Sequence, residues 1–68
     1  NGIYDQKTKV LKMPTFAMPF MIYRVLLIEC MAFKKLPRRV EYSYVFENIP
    51  FDIIKQLNRI LCNSIDYE

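Results

Sequence analysis

VEYSYVFENIPFDIIKQLNRILC, residues 40–62, changes its hydrophobic period once, at Ile49-Pro50. Upstream of that point Val40, Tyr42, Tyr44 and Phe46 fall on one side of an extended chain and Glu41, Ser43 and Glu47 on the other, with Val45 the exception. This alternation predicts a half-buried strand near 40–47, and its aromatic and β-branched residues suit a pleated surface covered on one side. Pro50 fits the first turn of a helix, where a missing N–H leaves no partner unpaired, and Asp52 complements the positive end of the dipole. Ile53, Ile54, Leu57, Ile60 and Leu61 then recur at three- and four-residue steps, leaving Lys55, Gln56, Asn58, Arg59 and Asn63 on the far side. The spacing predicts an amphipathic helix near 50–62. On this reading Leu57→Asp abolishes folding or assembly, whereas Asn58→Asp is nearly neutral. A strand and a helix with one apolar face each need a third surface to cover both.

Upstream of Val40, the connector Lys34-Lys35-Leu36-Pro37-Arg38-Arg39 gathers four cations, and its proline breaks any helix before the strand begins. Lys34, Lys35, Arg38 and Arg39 form a basic patch able to meet phosphates or an acidic partner, or simply a solvated loop. No aromatics interleave with these cations to stack bases, so nucleic acid is not an expected partner.

Residues 16–33 form an almost continuous apolar run, interrupted by Pro19, Arg24 and Glu29. A buried helix near 19–35 fits the proline at its start and the lysines at its end. A membrane span at about 16–33 is the alternative, long enough and flanked by cations. Against it, Arg24 and Glu29 each cost roughly 2.5–3.5 kcal/mol on an insertion scale. A buried strand is a third reading, which the length disfavours. Nearer the N-terminus, Asn1-Gly2 reads as a hairpin turn after a preceding strand. Ile3-Tyr4 and Lys9 to Met13 pair around Asp5-Gln6-Lys7-Thr8, and Pro14 ends the pairing. Beyond the second helix, Ile65 to Glu68 reads as another extended segment.

Sixty-eight residues make a single small domain, which buries only about 60% of the surface its unfolded form exposes. At 53% hydrophobic and 15% aromatic the chain is too apolar for disorder. It is therefore expected to be an obligate part of a complex or oligomer. Cys30 and Cys62 both fall in expected helices and are read as buried, reduced thiols of an intracellular protein in preference to a disulfide. With no histidine, no nucleophile–base pair and no common zinc site can be assembled. No carboxylate pair shares a helix face, and a single glycine excludes the phosphate-cradling loops. Neither catalysis nor a cofactor is expected, which leaves binding. The fold class expected is α+β: a small sheet, made of the hairpin and the strand near 40–47, packed against two helices near 19–35 and 50–62.

The order turn, strand, helix, basic connector, strand, proline-started helix and extended tail resembles the first two thirds of the BTB/POZ superfamily fold, as found in elongin C and the Skp-type adaptors. The residues that carry the resemblance are Ala17 and Ile22 through Leu26-Leu27-Ile28-Glu29, Arg39-Val40-Glu41, and Phe46-Glu47-Asn48-Ile49-Pro50 with Ile53, Ile54 and Leu57. Ile65-Asp66-Tyr67 continues it without a gap. Asn1-Gly2 would stand at the hairpin turn of those adaptors. A few extra residues lie between Val40 and Phe46, and neither a first strand nor the C-terminal helices are present, so a truncated or partial BTB/POZ-like fold is implied. The resemblance implies a non-catalytic adaptor that links a cullin-type ubiquitin ligase scaffold to a receptor helix in the cytoplasm or nucleus, with Phe46, Glu47, Asn48, Ile65 and Tyr67 contacting partners. Two other functions fit the residues: an accessory subunit of a membrane complex spanning at about 16–33, and a small viral or phage protein that inhibits a host factor.

Overall fold

In the computed structural model, which describes residues 1–68 throughout, the chain first reverses at Asp5. Asp5 Oδ1 accepts the backbone N–H groups of Lys7 at 2.9 Å and Thr8 at 3.2 Å, the local bonding by which this side chain builds a turn. Lys9 completes the reversal with a left-handed backbone, φ 59°. The turn joins β1, Gly2–Asp5, to β2, Val10–Pro14, in an antiparallel hairpin that sets Ile3 opposite Lys12. Asn1-Gly2 forms no turn. Gly2 opens β1 beneath Met13, so close that a Cβ would lie 2.1 Å from Met13 Sδ.

After a single 3₁₀ turn at Thr15–Ala17, Pro19 leads into α1, Phe20–Ala32. At about 1.5 Å per residue its 13 residues fall well short of the ~30 Å hydrocarbon core of a bilayer. No helix of the chain is long and apolar enough to cross a membrane; of the run 16–33, α1 takes in 20–32. Pro19 bounds the helix on one side and the turn at Phe33-Lys34 on the other.

The strand expected over 40–47 is two strands. β3, Arg38–Val40, and β4, Ser43–Phe46, pair antiparallel around a two-residue loop in which Glu41 has φ 57°. The Tyr42 carbonyl in that loop accepts the Thr15 N–H at 2.8 Å, which pins the loop to the end of β2. The reversal changes parity: Val40 now lies opposite Ser43 and no longer shares a face with Tyr44 and Phe46. Tyr42 projects into solvent, and only Tyr44 and Phe46 keep the inward side.

The five strands form one mixed sheet in the order β3-β4-β2-β1-β5, where β5 is Ile65–Tyr67 and runs parallel to β1. Phe46, Leu11, Tyr4 and Tyr67 make one row across the covered face, while Arg38, Val45, Lys12, Ile3 and Asp66 cross the bare one. Both connections that carry a helix, β2 to β3 and β4 to β5, join parallel strands with others between them, the split β-α-β arrangement. The fold is therefore α+β, with two helices on one face of the sheet and a single core of 11 buried apolar residues.

The second helix, α2, is Phe51–Ile60. Ile54 and Leu57 face the core as the periodicity predicts, but the neighbouring assignments reverse: Asn58 is 6% exposed and Ile60 is 67% exposed. The inward arc is Ile54, Leu57, Asn58 and Leu61, which are also three- and four-residue steps. Asn58 Oδ1 accepts the Ile65 N–H at 2.8 Å, and its Nδ2 donates to Ile65 O at 3.3 Å and to Tyr67 Oη at 2.9 Å. β5 bonds to β1 through Ser64 O and the Glu68 N–H, so the polar groups of Ile65 point off the edge of the sheet. The Asn58 amide pairs with them as a further strand would.

Both helices end in the same motif without glycine. After α1, the Lys34 N–H donates to Met31 O and the Lys35 N–H to Cys30 O. After α2, the Cys62 N–H donates to Arg59 O and the Asn63 N–H to Asn58 O. These are Schellman bonds, whose pivot residue is left-handed and usually glycine; here the pivots are Lys34, φ 56°, and Cys62, φ 56°. Cys62 thus lies past α2 and is exposed, not buried within a helix.

Two stability predictions follow from these bonds. Asn58→Asp is not neutral: it removes both Nδ2 bonds and turns a carboxylate oxygen toward Ile65 O, a loss of about 2–3 kcal/mol near pH 7. Burial raises the folded pKa of the introduced carboxylate above its ordinary value. The deficit is therefore smallest below that ordinary value and grows as pH rises through the raised one, which urea unfolding at pH 4 and pH 7 reads directly. Lys34→Gly relieves a left-handed side chain and stabilises by about 0.5–1 kcal/mol, seen as a rise of a few degrees in Tm.

Candidate interaction surface

α1 is apolar on more than one side. Its inner stripe, Ile22, Leu26 and Cys30, is buried against the sheet. Tyr23 packs beside it, its ring 5.0 Å from that of Tyr44 and 5.9 Å from that of Phe46. On the outer side Phe20, Met21, Val25, Ile28 and Met31 are exposed, and Phe16, Phe33 and Leu36 extend this surface beyond both helix ends. Met21, Arg24, Val25 and Ile28 enclose a shallow depression of about 240 Å³ on this face. A run of this apolarity needs covering on both sides, and a single sheet covers one.

The basic connector folds back over the end of β4. Lys35 Nζ lies 3.1 Å from Glu47 Oε1 and Arg38 Nε 3.8 Å from Glu47 Oε2. The Glu47 backbone carbonyl also faces Cys30 Sγ at 3.8 Å. Glu47 therefore ties the connector to α1 and β4, although such exposed ion pairs contribute only about 0–1 kcal/mol. Of the four cations, Lys34 and Arg39 remain exposed and without a carboxylate partner.

The five residues expected at a partner surface divide. Phe46 is fully buried and Ile65 is 4% exposed, so both belong to the core and neither presents a contact surface. Phe46 points inward because β4 places every second residue beneath the helices, and Ile65 does so from β5. Glu47 and Asn48 are half-buried at the turn into α2, where Asn48 is left-handed at φ 61°, and Tyr67 is exposed. Glu47 lies against Cys30 of α1 and Lys35 just beyond it, whereas the Tyr67 hydroxyl accepts from Asn58 of α2.

The two cysteines are free and differ in environment: Cys30 is buried and Cys62 exposed. Burial pushes the Cys30 thiol up, and the nearby Glu47 and Glu29 carboxylates act in the same direction against the bond to the Glu47 carbonyl. Burial likewise raises the Tyr4 phenol, with Asp5 adding to it. No three of the Cys, Asp and Glu side chains converge to hold a metal ion.

The outer face of α1 has a signal in the sequence. A run as apolar as 16–33, closed off at 13 helical residues, can bury only one side on a two-layer fold. No family model matches the chain, and neither does any curated protein or solved structure.

Thiol chemistry tests this placement. Cys62 should react with a disulfide reagent within seconds at neutral pH, while Cys30 should react only as fast as the fold opens, because the thiolate is the nucleophile. Two equally fast thiols in a folded sample would contradict the burial of Cys30.

Proposed function

We propose that this chain is a non-catalytic protein–protein interaction module that presents the outer face of α1 to a partner. The observation that carries this reading is the exposure of Phe20, Met21 and Ile28, at 72%, 73% and 63%, on a helix whose opposite side is fully packed. Contiguous exposed apolar surface of this kind marks interaction sites.

The finer reading is an adaptor similar to elongin C and the Skp-type proteins. It joins a cullin-type ubiquitin ligase scaffold to a receptor helix, in the cytoplasm or nucleus, as an obligate part of a complex. The element order supports it in part: hairpin, helix, then two paired strands where one is expected, proline-started helix, and an extended tail beside β1. In this reading Glu47, Asn48 and Tyr67 make further contacts, and Lys34 and Arg39 meet acidic groups of the partner. An apolar helix laid against an apolar helix face is a common recognition mode.

Co-purification tests it. A tagged chain should enrich cullin or SOCS-box partners, and Ile28→Asp, which alters only an exposed side chain, should abolish that enrichment while the circular dichroism spectrum stays unchanged. A folded chain that enriches neither partner class over a control bait overturns the adaptor reading.

A further inference from the structure

We infer that the outer face of α1 is the seam of a parallel, twofold-symmetric dimer, and that its occupant is α1 of a second copy of this chain. The inference rests on the reading of this face as a docking surface and gives it a second copy as occupant, which covers Ile28 and so competes with any receptor helix for the same face.

The seam is visible in the spacing. Met21, Val25, Ile28 and Ala32 are all exposed and separated by alternating four- and three-residue steps. That is the 3.5-residue repeat of a two-helix coiled coil, with Met21 and Ile28 in one layer type and Val25 and Ala32 in the other. At about 100° per residue, this line lies roughly 130° around the helix from the buried stripe of Ile22, Leu26 and Cys30. The sheet therefore sits behind the seam and leaves it open.

The shape agrees. Met21, Arg24, Val25 and Ile28, which line the depression, are spaced i, i+3, i+4, i+7. Four residues so spaced form the hole that accepts a side chain from the facing helix. In a parallel pair related by a twofold axis, the Val25 of each copy enters the hole of the other.

The charges then choose the orientation. Arg24 and Glu29 are the only charged residues of α1. They flank the seam on opposite sides, five residues apart. In a parallel pair this offset brings Arg24 of each copy beside Glu29 of the other, forming two identical ion pairs. An antiparallel pair would set each flank against its own kind and keep Arg24 away from Glu29. Neither residue takes part in the ion pairs within the chain, which are Lys35–Glu47, Arg38–Glu47 and Lys55–Asp52. A seam about two heptads long is smaller than the roughly 800 Å² per partner of a standard interface. The dimer is accordingly one that dissociates on dilution.

Sedimentation equilibrium of the full chain, from low to high micromolar concentration, should show a monomer–dimer equilibrium. Arg24→Glu and Glu29→Arg should each weaken it about tenfold, two pairs being lost and replaced by repulsion, and the double exchange should restore it. Val25→Cys in a Cys62→Ser background should cross-link on oxidation, because a parallel seam places the two positions in one layer. A chain that stays monomeric at every concentration overturns the inference. If Ile28→Asp still abolishes co-purification of another protein from that monomer, the docking reading stands and only the partner is wrong. A dimer that ignores the charge exchange and resists cross-linking overturns the parallel seam.

Discussion

The fold hangs on the hydroxyl of Tyr4. This side chain is fully buried in β1, and its Oη donates to the carbonyl of Ile49, the residue that leads into Pro50 and α2. The bond links residues 45 positions apart. Ile49 is itself fully buried, and its N–H donates to Lys9 O at 3.0 Å. Both backbone groups of this crossing are therefore paired inside the protein, as burial demands, since an orphaned group there costs about 1–3 kcal/mol. The Tyr4 ring stacks on Phe51 at 5.9 Å, and Phe51 meets the Tyr67 ring edge-on at 5.0 Å. One side chain thus fixes where α2 begins and which way it lies across the sheet.

The position of Asn58 follows from that anchor. With α2 held at its first turn, Asn58 arrives two turns later beside β5 and takes up the outward-facing N–H and C=O of Ile65. A strand of three residues at the edge of a sheet is weak by itself and offers its free edge to any other chain. The amide supplies the missing neighbour at Ile65 and blocks pairing there. A leucine at this position would match the helical period better and leave both groups of Ile65 unpaired.

Much of this architecture is legible in the sequence. The hairpin around Asp5-Thr8, the helix inside 19–35, the proline-started helix and the extended tail all follow from period and turn chemistry. What hid was the reversal at Glu41, because a left-handed residue need not be a glycine. Lys9, Lys34, Glu41, Asn48, Cys62 and Asn63 are left-handed, and only the two asparagines belong to the residue types that advertise such a turn. Glu41 shows the consequence: a two-residue loop inside VEYSYVF keeps an alternating pattern while exchanging its faces, so one strand is read where two exist. Asn58 escaped for the opposite reason. Polarity argues for the outside of a helix, and only the unpaired edge at Ile65 explains why it turns in. At the surface, Phe46 and Ile65 were drawn from a resemblance in sequence, which carries no information about burial, while the exposure of α1 depends on the helix having one sheet to lean on.

The two bare surfaces of the molecule are treated differently, and that contrast is informative. Across the uncovered face of the sheet, Arg38, Lys12 and Asp66 interrupt Val45 and Ile3. Charges spaced in this way keep a sheet face wetted and discourage association. On the uncovered side of α1, Met21, Val25, Ile28, Met31 and Phe20 are relieved only by Arg24 and, at the margin, by half-buried Glu29. A chain that was merely rich in apolar residues would have spread them over both surfaces. Here the polar residues protect the sheet and leave the helix, so the outer side of α1 has the composition of a face that is covered when the protein works.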